Sequence, residues 1–110
     1  MDKLTRYREI IREVIQGYAE WTTSGEIVGE VIEDVSSNHF ELLRFGWEGH
    51  RRLHSSLLHL DIIDGKIWIQ YDGTDRPIAE ELVRAGVPKE DIVLAEQPPE
   101  VRPHTGYGVG

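Results

Sequence analysis

Apolar residues recur at spacings of three and four from Leu4 through Tyr7, Ile11, Val14, Tyr18 and Trp21, with Ile10 and Ile15 widening the stripe. Arg6, Arg8, Glu9, Arg12, Glu13 and Gln16 lie off it, so the segment predicts an amphipathic helix. Asp2 is placed to cap its start, and Thr22-Thr23-Ser24-Gly25 to end it. The stripe runs for roughly three heptads, which favours packing on the chain's own sheet over a coiled-coil seam.

From Glu26 the period changes to two. Val28, Glu30, Ile32 and Asp34 share one face and Ile27, Gly29, Val31 and Glu33 the other, the signature of a strand. Asp34 to His39 is rich in turn formers. Phe40 to Trp47 resumes as a second strand, with Phe40 and Leu42 opposite in face to Leu43, Phe45 and Trp47. Glu48-Gly49-His50 makes the next turn.

The stretch from Arg51 to Gly73 holds the centre of the sheet. Two runs rich in apolar residues flank Asp64-Gly65, the dipeptide that supplies the positive φ angles of a two-residue hairpin. That loop pairs Ile63 with Lys66, Ile62 with Ile67, Asp61 with Trp68, Leu60 with Ile69, His59 with Gln70 and Leu58 with Tyr71. Leu58, Leu60, Ile62, Ile67, Ile69 and Tyr71 then share one face, which a slip of one residue would scatter. Leu53, Leu57, Ile63 and Trp68 fall on the opposite face. A second face this apolar is expected to be covered by a partner, by the tail or by another subunit.

After Tyr71, Asp72-Gly73-Thr74-Asp75 offers a turn and a cap, and Pro77 suits a first helical turn. Ile78, Ala79, Leu82, Val83 and Ala85 form the buried stripe of a second helix, stopped by Gly86 and Pro88. Lys89-Glu90-Asp91 reads as a further turn, and Ile92-Val93-Leu94-Ala95 as a segment able to add an edge strand. Pro98, Pro99 and Pro103 predict an extended tail over 97–110. The expected fold is α+β: a four-stranded antiparallel meander with one helix before it and one after.

At 110 residues the chain is expected to form one domain, and 39% hydrophobic with 29% charged residues places it among globular rather than disordered proteins. The opening MDKLTRYREI lacks the continuous apolar segment of a secretion signal, and no apolar run approaches a membrane span, so a cytoplasmic location is expected. Absence of cysteine excludes disulfides and thiolate chemistry. Twelve basic against twenty acidic residues leave a net charge of -8, which opposes long-range attraction to nucleic acid. Arg44, His50, Arg51, Arg52 and His54 form a local basic group around one turn, diluted by Glu48. Within it, Arg44, Arg51 and Arg52 are the candidate phosphate contacts.

Catalytic and cofactor motifs are missing. Gly106-Tyr107-Gly108 has no helix after it to present amides to a phosphate, and the spacing of His50 and His54 would gather ligands only on a helix. No metal or cofactor is therefore expected. His59 and Asp61 share a strand face opposite Gln70 and Trp68, an arrangement that orients an imidazole, but no nucleophile accompanies it. Contact with a partner is the better use of His59, Asp61, Trp68 and Gln70, with Trp68 as an exposed aromatic anchor.

The opening DKLTRYREIIREVI, the phrases LHLDI, DGKIWIQ and AGVPKEDIVLA, and the tail PPEVRPHTGYGVG occur in the order found in the XisI-like family, the fdxN element excision controlling factor proteins, which this chain resembles over nearly its whole length. The resemblance implies an α+β domain that helps control site-specific excision of a DNA element during heterocyst differentiation in cyanobacteria. It implies that a separate recombinase cuts the DNA and that a companion XisH-like protein is a partner. Self-association through the apolar second face of the sheet is compatible with this role. The resemblance supplies no catalytic residues.

Overall fold

The structure, a computed structural model, describes residues 2–110. Helix α1 (Lys3–Thr22) begins where the Asp2 carboxylate accepts the Thr5 amide at 2.8 Å, satisfying a donor that a helix start otherwise leaves unpaired. Tyr7, Ile11, Ile15, Tyr18 and Ala19 are its buried residues. This stripe is turned slightly from the expected one, leaving Leu4 and Trp21 exposed at its ends.

Strands β1 (Ile27–Asp34), β2 (His39–Glu48), β3 (Arg51–Ile63) and β4 (Lys66–Asp72) form the expected antiparallel meander in chain order. The apolar segment after the second helix becomes β5 (Ile92–Leu94), which pairs with β4 in parallel and makes the sheet five-stranded and mixed. Its direction follows from the crossover, because helix α2 (Ile78–Arg84) lies between β4 and β5. The Asp72 carboxylate organises that crossover, accepting the Thr74 amide on one oxygen and the Ile78 amide on the other, both at 2.9 Å. Ile78, Ala79 and Leu82 are buried as expected, Val83 is partly so, and Ala85 is exposed beyond the helix.

One face of the sheet meets both helices. Phe40 and Leu42 from β2, Leu58 and Leu60 from β3, and Ile67 from β4 are fully buried there, in one cluster with Ile11, Ile15, Ile78 and Leu82. Burial of such side chains is the main stabilising term, at about 1.5–3 kcal/mol each. Among the described residues no charged residue is buried as a whole.

The Asp64-Gly65 loop has positive φ at both residues, 50° and 78°, and sets the pairs Ile63–Lys66, Ile62–Ile67, Asp61–Trp68 and Leu60–Ile69 as expected. A bulge between His59 and Leu60 then changes the register. His59 pairs with Tyr71 rather than Gln70, and Leu58 with Asp72 rather than Tyr71. Tyr71 is consequently 43% exposed, not on the core face. A second bulge lies between the Leu42–Leu58 and Leu43–Ser56 pairs and skips Leu57. Leu57 therefore packs against the core, and Leu53 lines a groove with Leu57 and Trp21, so neither lies on the outward face as the alternation predicted.

The tail also departs from its expected course. Instead of running extended, it turns through a short 3-10 helix at Arg102–His104 and returns to the sheet, where Gly108 bridges to Val93 and its amide donates to Ile92 O at 2.7 Å. Pro98 O accepts from both the Val101 and Arg102 amides, so the prolines punctuate turns here.

Candidate functional site

The outward face of the sheet gathers its polar side chains where β2, β3 and β4 run side by side. His39 pairs with Asp61 and Glu41 with His59, which places two imidazoles and two carboxylates at alternate corners of a square. Phe40 and Leu60, the residues between them on each strand, pair with each other and are fully buried on the opposite face. Period-two alternation therefore turns the burial of two core residues into the outward aim of four polar ones.

His39 Nδ1 lies 2.8 Å from Asp61 Oδ1, His39 Nε2 lies 3.3 Å from Glu41 Oε2, and His59 Nε2 lies 3.2 Å from Asp61 Oδ2. Gln70 Nε2 donates to the same Asp61 Oδ2 at 3.3 Å. The two imidazole rings meet edge to face, with centroids 4.6 Å apart. Hydrogen bonding to Asp61, against the cost of burial and with help from Glu41, raises the pKa of His39 above its ordinary value. The protonated ring has an N–H for each carboxylate, which is the state this geometry favours.

His59, Asp61 and Gln70 are thus brought together as the sequence predicted, although the bulge removes Gln70 from its expected place opposite His59. Trp68 stands opposite Asp61, but the expectation of an exposed aromatic is corrected. Its ring is partly buried, with the Arg102 guanidinium 5.3 Å from its centroid and Gly110 against its edge. Lys66 Nζ donates to Gly110 O at 3.1 Å and helps hold the tail there. Of the candidate covers for the outward face, the tail is the one that reaches Trp68.

Sequence reasoning misses His39 and Glu41 as members of this group because the turn-rich composition of Asp34 to His39 hides the start of the strand. The turn ends one residue earlier. Val35–Ser37 form a 3-10 turn capped by Asp34, Asn38 reverses the chain with φ 52°, and His39 begins β2. The repeated pattern His39-Phe40-Glu41 and His59-Leu60-Asp61, a histidine and an acid flanking an apolar residue, was the available signal.

The three arginines do not share one surface. Arg44 is half-buried in the groove with Trp21, Leu53 and Glu48, and its Nε has no hydrogen-bond partner. Arg51 lies 3.7 Å from Glu48, while Arg52 falls on the opposite strand face, over the rings of Trp47 and Phe45 at 5.4 and 5.9 Å. Among the described residues no helix is long and apolar enough to cross a membrane.

Comparison with known proteins gives the chain a family. No curated protein sequence matches the chain. A crystal structure of a XisI-like protein from Anabaena variabilis ATCC 29413 is similar at 42% identity and a TM-score of 0.88, over 97% of this chain and 99% of that one. The crystal structure of the fdxN element excision controlling factor XisI from the same organism is similar at 35% identity and a TM-score of 0.83, over 99% of this chain and 100% of that one. The family model described as XisI protein matches residues 1–109, and the chain belongs to the XisI family.

Proposed function

We propose that this protein is an accessory factor in the control of DNA-element excision that acts by binding a protein partner and does no chemistry of its own. The observation that carries the reading is the likeness, over essentially the full length of both chains, to a structure described as an excision controlling factor. The partner meets the outward face around His59, Asp61, Gln70 and Trp68. That face also presents Glu30, Asp34 and Glu41, in a chain of net charge -8. An acidic face of this kind favours a partner with a basic surface, the kind of surface that DNA-handling proteins carry. The companion implied by family resemblance is an XisH-like protein.

Co-expression with a neighbouring XisH-like protein, followed by size-exclusion chromatography with light scattering, tests this reading. A complex of defined mass is expected, and His59→Ala with Asp61→Ala should dissolve it while the circular dichroism stays unchanged. Separate elution of the wild-type proteins, combined with salt-sensitive binding to DNA that falls when Arg51 and Arg52 become alanine, would replace the reading with direct DNA contact.

A further inference from the structure

We infer that His39, His59 and Asp61 form a binding site for a divalent first-row transition metal ion of the Zn2+ type, with Glu41 orienting His39 from outside the coordination shell. The inference stands on these side chains alone and does not depend on the partner reading. One ligand atom from each of the three lies within 4.8 Å of the others. Tetrahedral coordination with bonds of about 2.0–2.1 Å puts ligand atoms roughly 3.3 Å apart. The contacts His39 Nδ1 to Asp61 Oδ1, at 2.8 Å, and His59 Nε2 to Asp61 Oδ2, at 3.2 Å, are already near that spacing.

The two nitrogens of His39 serve different tasks. Nδ1 faces Asp61, whereas Nε2 faces Glu41. With Nε2–H donating to Glu41, the Nδ1 lone pair is left for the ion, which replaces the proton that Nδ1 otherwise shares with Asp61. A carboxylate behind a ligating histidine fixes the tautomer and makes the ring a better donor. Gln70 steadies the Asp61 carboxylate in the same manner by donating to Oδ2.

Imidazole and carboxylate without thiolate suit Zn2+ and its first-row neighbours better than Mg2+ or Ca2+, which prefer oxygen throughout. Side-chain exposures of 28% for His39, 34% for His59 and 20% for Asp61 leave the site open to an ion from solution and its fourth position open to water or to a partner's side chain. The supporting strands are rigid at this point, because Phe40 and Leu60 beneath the ligands are fully buried.

The test uses full-length protein prepared without a polyhistidine tag, stripped with chelator and titrated with Zn2+ by calorimetry and with Co2+ by visible absorption. One ion per chain is expected, with the intense d–d absorption of a low-coordinate Co2+ site. His59→Gln should abolish that absorption, and Asp61→Asn provides an independent variant, each checked for folding by circular dichroism. Glu41→Gln should retain the site but weaken it by about 10–100-fold. A His50→Gln/His54→Gln variant should bind as wild type does. Absence of stoichiometric binding at micromolar Zn2+ overturns the inference. So does binding that survives in a His39→Gln/His59→Gln variant, or binding that disappears when His50 and His54 are replaced. An intact metal site in a protein that captures no partner would count against the proposed function only.

Discussion

The two ends of the β2–β3 ladder teach different lessons about how a strand pattern becomes a surface. At the proximal end, His39–Leu42 pairs with Leu58–Asp61, alternation is strict, one face is sealed by helices and the other carries the histidine–carboxylate group. Beyond the bulge after Leu42, Leu43–Glu48 pairs with Arg51–Ser56, and its side chains run from half-buried to fully exposed apart from the glycine at position 46. The first end is specified by what lies beneath it. The second depends on local backbone geometry and on stacking such as that of Arg52 over Trp47.

Breaking the proximal end should cost the most. Phe40→Ala removes a fully buried ring under the histidine–carboxylate group and is expected to destabilise the fold by about 3–5 kcal/mol in chemical denaturation. It should also disturb His39 and Glu41 on either side. At the distal end the largest effect belongs to Gly46, whose φ is 144° and where an added Cβ would lie 2.0 Å from Glu26 O. Gly46→Ala should cost roughly 1–3 kcal/mol and open the β1–β2 edge, seen as faster amide exchange in those strands.

A smaller effect isolates the anchoring of α1. Asp91 accepts from Tyr7 Oη and lies 3.0 Å from Lys3 Nζ; against the penalty of burial, these partners hold its carboxyl below the usual aspartate range. Since the folded pKa is the lower one, its contribution is fully present above the unfolded value of about 3.9 and is lost as pH falls through the folded value. Asp91→Asn should lower stability by about 1 kcal/mol at neutral pH and flatten the dependence in that acidic window. Smallest of all, Arg52→Ala should cost about 0.5–1 kcal/mol, the scale of an exposed cation–aromatic contact. A cost there equal to that of Phe40→Ala would erase the distinction between the two ends.

That distinction also explains which features were legible in the residues. The capped first helix, the Asp64-Gly65 hairpin and the burial of Phe40, Leu42, Leu58 and Leu60 all follow from short-range chemistry acting with a single buried face. Bulges carry no comparable mark, so strict alternation puts Leu53, Leu57 and Tyr71 on the wrong faces. The site was half legible: His59 and Asp61 declare themselves by spacing within one strand. Their partners His39 and Glu41 become neighbours only through cross-strand pairing, after Asn38 has turned the chain. The cover on Trp68 was beyond pattern reading because it depends on tail residues folding back from 3-10 turns.

The parallel direction of β5 has a consequence in time. The antiparallel strands can zip from tight reversals such as Asp64-Gly65, but β5 finds β4 only after the intervening helix has folded onto the sheet. Loop closure over such a crossover carries a larger entropic cost than closing a hairpin, and topologies with distant pairings fold more slowly. The meander should therefore form early and the β5 edge late. Until that edge docks, Trp68 lacks the bridge that joins Val93 to the returning tail, so its local environment should be among the last to reach its native form.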